Sequence, residues 1–117
     1  MTYDYREAVK ADVKEWIEEN GIPEDLGIYD NAEEYLWETL WTADSVTGNA
    51  SGSYTFSRVK AEENLADNED LAQEALREFG YPEEHYFEKV DEGEWEYLDV
   101  TIRCYLLGEA IVEALRG

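Results

Sequence analysis

Apolar residues recur along this chain at intervals of three and four, the spacing that lines one face of a helix. Tyr5, Val9, Val13, Trp16 and Ile17 predict a helix over residues 4–20, with Glu15, Glu18 and Glu19 facing outward. Asn20-Gly21 stops it and Pro23 follows. Tyr35, Leu36, Trp37, Leu40 and Trp41 predict a second helix over 31–43, with Asp30 and Glu33 as a capping box, each satisfying a free amide. Residues 57–66 read as a third, with Ser57 as N-cap and Val59, Ala61 and Leu65 inward. Asp67-Asn68 interrupts it. The pattern resumes over 69–79 with Leu71, Ala72, Ala75, Leu76 and Phe79, until Gly80 and Pro82 end it. Residues 83–90 form a short helix carrying His85, Tyr86 and Phe87.

The last segment, EWEYLDVTIRCYLLGEAIVEALRG, carries two periodicities. Val100, Ile102 and Cys104 alternate with Thr101 and Arg103, as in a strand. Leu98, Ile102, Tyr105 and Leu106 fit a helix, as do Val100, Cys104, Leu107, Ile111 and Leu115, and Asp99 with Arg103 is a favourable i,i+4 pair. The prediction is one helix over 95–116, apolar nearly all round and therefore central, with Gly108 admitting a close neighbour. The expected fold is all-α: a compact single domain, residues 1–117, of five or six helices around an apolar C-terminal helix. The alternative is α+β, with a small sheet of residues 54–56 and 97–104.

The stretch TADSVTGNASGSYTF, residues 42–56, breaks the helical pattern with small polar residues. It lacks the closing Glu of a calcium loop and the Lys of a phosphate loop. Nothing in sequence pairs Ser45 or Ser51 with the single imidazole, His85. It reads as a connection between helices, its far end anchored by Tyr54 and Phe56.

Composition changes the picture in one respect. Thirty acids stand against nine bases, a net charge of −21. Such a chain avoids nucleic acid and anionic membranes and is drawn to basic surfaces, above all those built to hold nucleic acid. The plain readings of the charge are solubility and adaptation to salt. A hydrophobic content of 44% is still enough for a core. The lone Cys104 excludes an internal disulfide, suits a reducing cytoplasm and reads as a buried inert thiol. The N-terminal residues lack the apolar run of a signal peptide, no segment has membrane-spanning length, and Asn49-Ala50-Ser51 is therefore discounted as a glycosylation site. Self-repulsion favours a monomer.

Two segments together, residues 42–56 and DVTIRCYLLGEAI at 99–111, carry a resemblance that spans most of the chain. The chain resembles small acidic proteins of unknown function from phages and mobile elements of gut Firmicutes. The resemblance brings no catalytic residues. It implies a bacterial cytoplasm and an accessory gene, a class that includes anti-CRISPR and anti-restriction proteins, several of which imitate DNA.

Three functions follow in order of expectation. The first is an inhibitor that imitates DNA and occupies a basic nucleic-acid-binding protein such as a CRISPR nuclease. Carboxylates three and four apart on a helix lie about 5–6 Å from one another and approximate a line of phosphates. The candidates are Glu62, Glu63, Asp67, Asp70 and Glu74 through the middle, then Glu83, Glu84, Glu88, Asp91 and Glu92. Glu94 and Glu96 extend the second run, and Glu34 with Glu38 forms a smaller group. The plain reading of any one run is a solvated helix face. The second function is an adaptor that binds through exposed aromatic residues, with Trp37, Trp41, Tyr86 and Trp95 as anchors. Against it, Trp37 and Trp41 stand one turn apart and read first as core. The third is an enzyme, which the chain does not encourage: no metal spacing, no cofactor motif and no catalytic pair is present. Glu83-Glu84-His85 is a poor metal motif because adjacent helical residues point apart.

Overall fold

The computed structural model describes residues 3–50, 61–82 and 84–116. Among them are six helices and no strand: α1 (Tyr5–Asn20), α2 (Ala32–Leu40), α3 (Ala61–Ala66), α4 (Glu69–Glu78), α5 (His85–Asp91) and α6 (Trp95–Arg116). The fold is all-α, as the periodicity predicts. The proposed strand at 54–56 and the N-cap at Ser57 lie outside the described residues.

The strand alternative for 97–104 is corrected. These residues belong to α6, and every side chain from Leu98 to Cys104 is buried, on both sets of alternating positions. A helix buried all round shows the same run of apolar residues as a buried strand. Thr101 fits the helix by donating its hydroxyl to the Tyr97 carbonyl one turn back, at 2.8 Å.

Each helix end has a local cause. Asp4 caps α1 by accepting from the Glu7 amide at 3.1 Å. The cap of α2 is Asn31, not Asp30: its Oδ1 accepts from the Glu34 amide at 2.8 Å, and Glu34 reaches back to the Asp30 amide at 3.1 Å. The box expected at Asp30 and Glu33 therefore sits one residue later. Helices α4 and α5 end alike. After α4 the Tyr81 amide donates to the Leu76 carbonyl at 2.9 Å, and Gly80 takes φ of 84°. After α5 the Glu94 amide donates to the Lys89 carbonyl at 2.8 Å, with Gly93 at φ 76°. Glycine is the residue that adopts this left-handed backbone without strain. The expected break at Asp67-Asn68 is real. The Asn68 side chain donates to the carbonyls of Tyr3 and Asn64, both at 2.8 Å, tying the α3–α4 junction to the start of α1.

Helix α6 is the hub against which α1, α2, α3, α4 and α5 all pack. Leu98, Ile102, Leu106, Leu107 and Ile111 are sealed there with Val9 and Val13 of α1, Leu36 and Leu40 of α2, Leu65 of α3 and Leu76 of α4. Residues 42–50 fold back under α2. Val46 and Thr47 are fully buried, and the Thr47 hydroxyl donates to the Trp41 carbonyl at 2.9 Å. This half of the polar stretch thus closes α2; its remainder, with Tyr54 and Phe56, is outside the described residues.

One polar cluster lies inside the α1–α6 contact. Arg103 is fully buried, and its Nε donates to Asp99 Oδ2 at 3.0 Å. Tyr5 donates its hydroxyl to Asp99 Oδ1 at 2.6 Å, and Arg103 Nη2 donates to the Tyr3 hydroxyl at 3.0 Å. Asp12 Oδ2 of α1 stands 4.0 Å from Arg103 Nη1. The guanidinium also lies 5.1 Å from the Tyr5 ring and 5.8 Å from the Tyr3 ring. Burial works against the Arg103 charge, but Asp99 and Tyr3 outweigh it and hold the group protonated beyond its ordinary range.

A buried pair is costly to break because the surviving charge has no solvent to fall back on. Arg103→Ala is expected to lower unfolding free energy by about 3–5 kcal/mol, and Tyr5→Phe by about 1–3 kcal/mol. Urea unfolding followed by circular dichroism ranks the two; a loss under 1 kcal/mol for Arg103→Ala would contradict the burial of the pair.

Candidate protein-binding surface

Helices α3, α4 and α5 follow one another in space as in sequence, each leaning on α6. Ala61 and Leu65, then Ala72, Ala75 and Leu76, then Tyr86 point inward. The periodicity that buries these residues turns the intervening acids out. Glu62, Glu63, Asp67, Asp70, Glu74, Glu84, Glu88, Asp91 and Glu92 are all exposed. Glu83 lies outside the described residues. Residues 61–94 hold thirteen acids and two bases, so this flank carries about half of the excess negative charge.

The basic side chains are largely spent on nearby carboxylates. Lys89 sits 2.9 Å from Glu94 and 3.5 Å from Glu92, with its ammonium 5.1 Å from the centre of the Tyr97 ring. Arg6 pairs with Glu109 across the α1–α6 contact, and Lys10 with Glu7 at 3.1 Å. Glu62, Glu63, Asp67, Asp70, Glu84 and Asp91 have no basic partner among the described residues. Burial, and then the nearby Glu74, raises the Tyr105 hydroxyl above its ordinary value. Among the described residues, most of the carboxylates on this flank therefore have no basic partner.

His85 is part of the packing. Its ring stacks on Tyr81 at 4.9 Å and 7° and meets Tyr97 edge-on at 6.2 Å, while Nδ1 is 3.5 Å from a Glu88 oxygen. Among the described residues, no three His, Cys, Asp or Glu side chains are grouped to hold a metal ion. Cys104 is buried, and burial pushes its thiol up to about 12. Among the described residues, no helix is long and apolar enough to cross a membrane.

The aromatic anchors divide. Tyr86 is buried between α5 and the core, and Trp41 and Trp95 are half-buried against it, so these three do not present free rings. Trp37 does: 42% of it is exposed. Its ring rests on Trp41 at 4.8 Å between centroids, tilted by 30°. The expectation that both are core is corrected at Trp37. Helix α2 spans nine residues and buries only Leu36 and Leu40 fully, too narrow a contact to cover position 37.

The stacked pair stands between two depressions. One, of about 380 Å³, is lined by Trp41, Phe79, Tyr81, Tyr97 and Cys104, among others. The second, also about 380 Å³, runs between α2 and α6 and is lined by Trp37, Glu33, Glu34, Asn31, Gly108, Ile111 and Val112. Periodicity gave no notice of this groove. The one sequence signal that bears on it is Gly108 inside an otherwise bulky helix. A Cβ there would meet the Trp37 ring at 4.0 Å, an ordinary contact, so the glycine leaves space without being forced by crowding.

Compared with protein-family models, curated proteins and solved structures, the chain matches none of them.

Cys104 and Tyr5 generate a pH prediction. Burial, and then Asp99, hold the Tyr5 hydroxyl far above its ordinary value of 10.0, as burial does for the thiol. Both keep their protons in the folded chain at a pH where the unfolded chain has released them. The folded state then binds more protons, so stability falls as pH rises. The decline starts near pH 9, where unfolded Cys104 titrates, and steepens near 10 with unfolded Tyr5. The urea midpoint is expected to drop between pH 7 and 10.5, and iodoacetamide to label Cys104 at pH 8 only after denaturation. Rapid labelling of the native chain would contradict the burial of Cys104.

Proposed function

We propose that this chain binds a basic, nucleic-acid-binding protein and occupies the surface that would otherwise hold nucleic acid. The observation that supports the reading is the exposed carboxylate flank of α3, α4 and α5, most of whose acids have no basic partner among the described residues. Asp70 and Glu74 of α4 stand one helical turn apart, as do Glu84 and Glu88 at the start of α5. A basic cleft that pairs Lys and Arg with successive phosphates can pair them with such carboxylates. Rigid helices hold the charges in place before contact, which reduces the ordering cost of binding. The chain acts by occupancy and not by chemistry: its part is to keep the cleft filled. The resemblance to accessory proteins of mobile elements makes bacterial nucleic-acid enzymes, CRISPR nucleases among them, the first class of partner to test.

The test is capture from a bacterial lysate stripped of nucleic acid, with the chain immobilised and elution by a salt gradient or by free duplex DNA. The expected result is a nucleic-acid enzyme released by both. Its apparent affinity for the chain should fall at least about tenfold between 50 and 200 mM salt, because several charge pairs are screened together. A partner that withstands high salt and ignores DNA would overturn the reading.

A further inference from the structure

We infer that the groove between α2 and α6 receives an arginine side chain of a protein partner, its guanidinium against the Trp37 indole and beside the carboxylates of Glu33 and Glu34. The inference rests on the reading of the partner as a basic protein and adds the residue that the partner inserts.

Four features of the groove converge on that side chain. The first is charge. Glu33 and Glu34 line the groove, and none of its described lining residues is basic. Glu34 is steadied by the Asp30 amide, while Glu33 has no hydrogen-bond or ion-pair partner among the described residues. The groove lies at the first turn of α2, whose end carries about half a positive charge. Two carboxylates outweigh it, so an anion is repelled and a cation drawn in.

The second is the ring. One face of Trp37 is taken by Trp41, which holds the indole in place, yet 42% of the residue stays open to solvent. A fixed indole is the strongest side-chain platform for a cation, and a planar guanidinium stacks on it better than a compact ammonium does.

The third is the floor. Gly108 and Val112 of α6, half-exposed over the buried Ile111, give an apolar strip beside the acids. The methylene stem of a long basic side chain lies on such a strip while its head reaches the carboxylates. A wholly apolar side chain would desolvate Glu33 and Glu34 without return. The fourth is room: about 380 Å³ accommodates the whole side chain and its flanking backbone.

The experiment is a two-dimensional NMR titration of the full chain with two peptides, acetyl-Gly-Arg-Gly-amide and its lysine counterpart, at low salt. The indole N–H of Trp37 is assigned by its disappearance in Trp37→Phe. The arginine peptide should shift that indole signal and the amides of Gly108, Ile111 and Val112 saturably. It should bind about two- to fivefold more tightly than the lysine peptide. Glu33→Gln, an exposed change that leaves the core untouched, should weaken arginine binding by about two- to fivefold. Trp37→Ala should abolish the localised shifts. Equal shifts from the two peptides spread over α3 to α5, or no movement at Trp37, would overturn the inference. That result would leave competition with DNA by the acidic flank standing, and loss of that competition would leave the groove titration unchanged, so the two failures are distinguishable.

Discussion

The ion pair of Arg103 with Asp99 is the constraint on which the rest of the structure depends. It sits on the hub helix, shut away from water, and Tyr5 and Tyr3 near the start of the chain bond to it. A buried pair of this kind contributes little net stability compared with apolar residues of the same volume. What it does is penalise every arrangement in which its partners are missing. A shift of α1 by one residue along α6 would take the Tyr5 hydroxyl from Asp99 and Asp12 from Arg103, and the buried pair would lose those contacts. The apolar contacts of Val9 and Val13 are less exacting, since hydrophobic burial has no direction. The pair therefore sets the register of α1 on α6, and the other four helices pack on a hub whose position is already set.

With the interior settled in this way, the exterior is free to carry acid, and it carries more than stability asks for. Some carboxylates help the fold. Glu7, Glu33, Glu34, Glu62, Glu63, Glu69 and Asp70 stand in the first turns of their helices, where the helix dipole favours them. Others do not. Glu18 and Glu19 crowd the end of α1, and α1, α2 and α3 have no basic residue in their last turns to meet the opposite end of the dipole. Asp67 lies between helices, and Asp91 ends α5. Charge at such positions adds to the self-repulsion of a chain at −21. Acids kept where the fold gains nothing from them are what a surface for a basic partner requires.

Most of the fold was legible because its helices are punctuated by side chains with local effects: Asn20-Gly21, Asp67-Asn68, Gly80 and Pro82 mark ends that the structure also has. Two points were not. Asp30 and Asn31 are both good caps, and the sequence pattern does not choose between them. Asp99 and Arg103 could be seen as an i,i+4 pair, but their burial depends on α1, ninety residues away, and no local pattern carries that. The candidate surface was legible in part. The exposure of the acids followed from the periodicity of the apolar residues beside them. The exposure of Trp37 did not, since positions 36, 37, 40 and 41 all belong to one broad apolar face and the width of the α6 contact decides which are covered. The groove beside Trp37 joins residues about seventy positions apart and is a property of the packed helices alone.

The central claim is that the core and the acidic flank are separable: the fold stands on α6 and its buried pair, and the outer carboxylates serve a partner. The most direct measurement is a single variant with Glu62→Gln, Glu63→Gln, Asp67→Asn, Glu84→Gln and Asp91→Asn. Its thermal unfolding and its competition with DNA for the captured partner are measured side by side. The account predicts unchanged helix content, a cooperative transition and at least a tenfold loss of competition, the scale expected when several charge pairs are removed together. A folded variant that competes as well as the parent, or one that no longer folds, would contradict it.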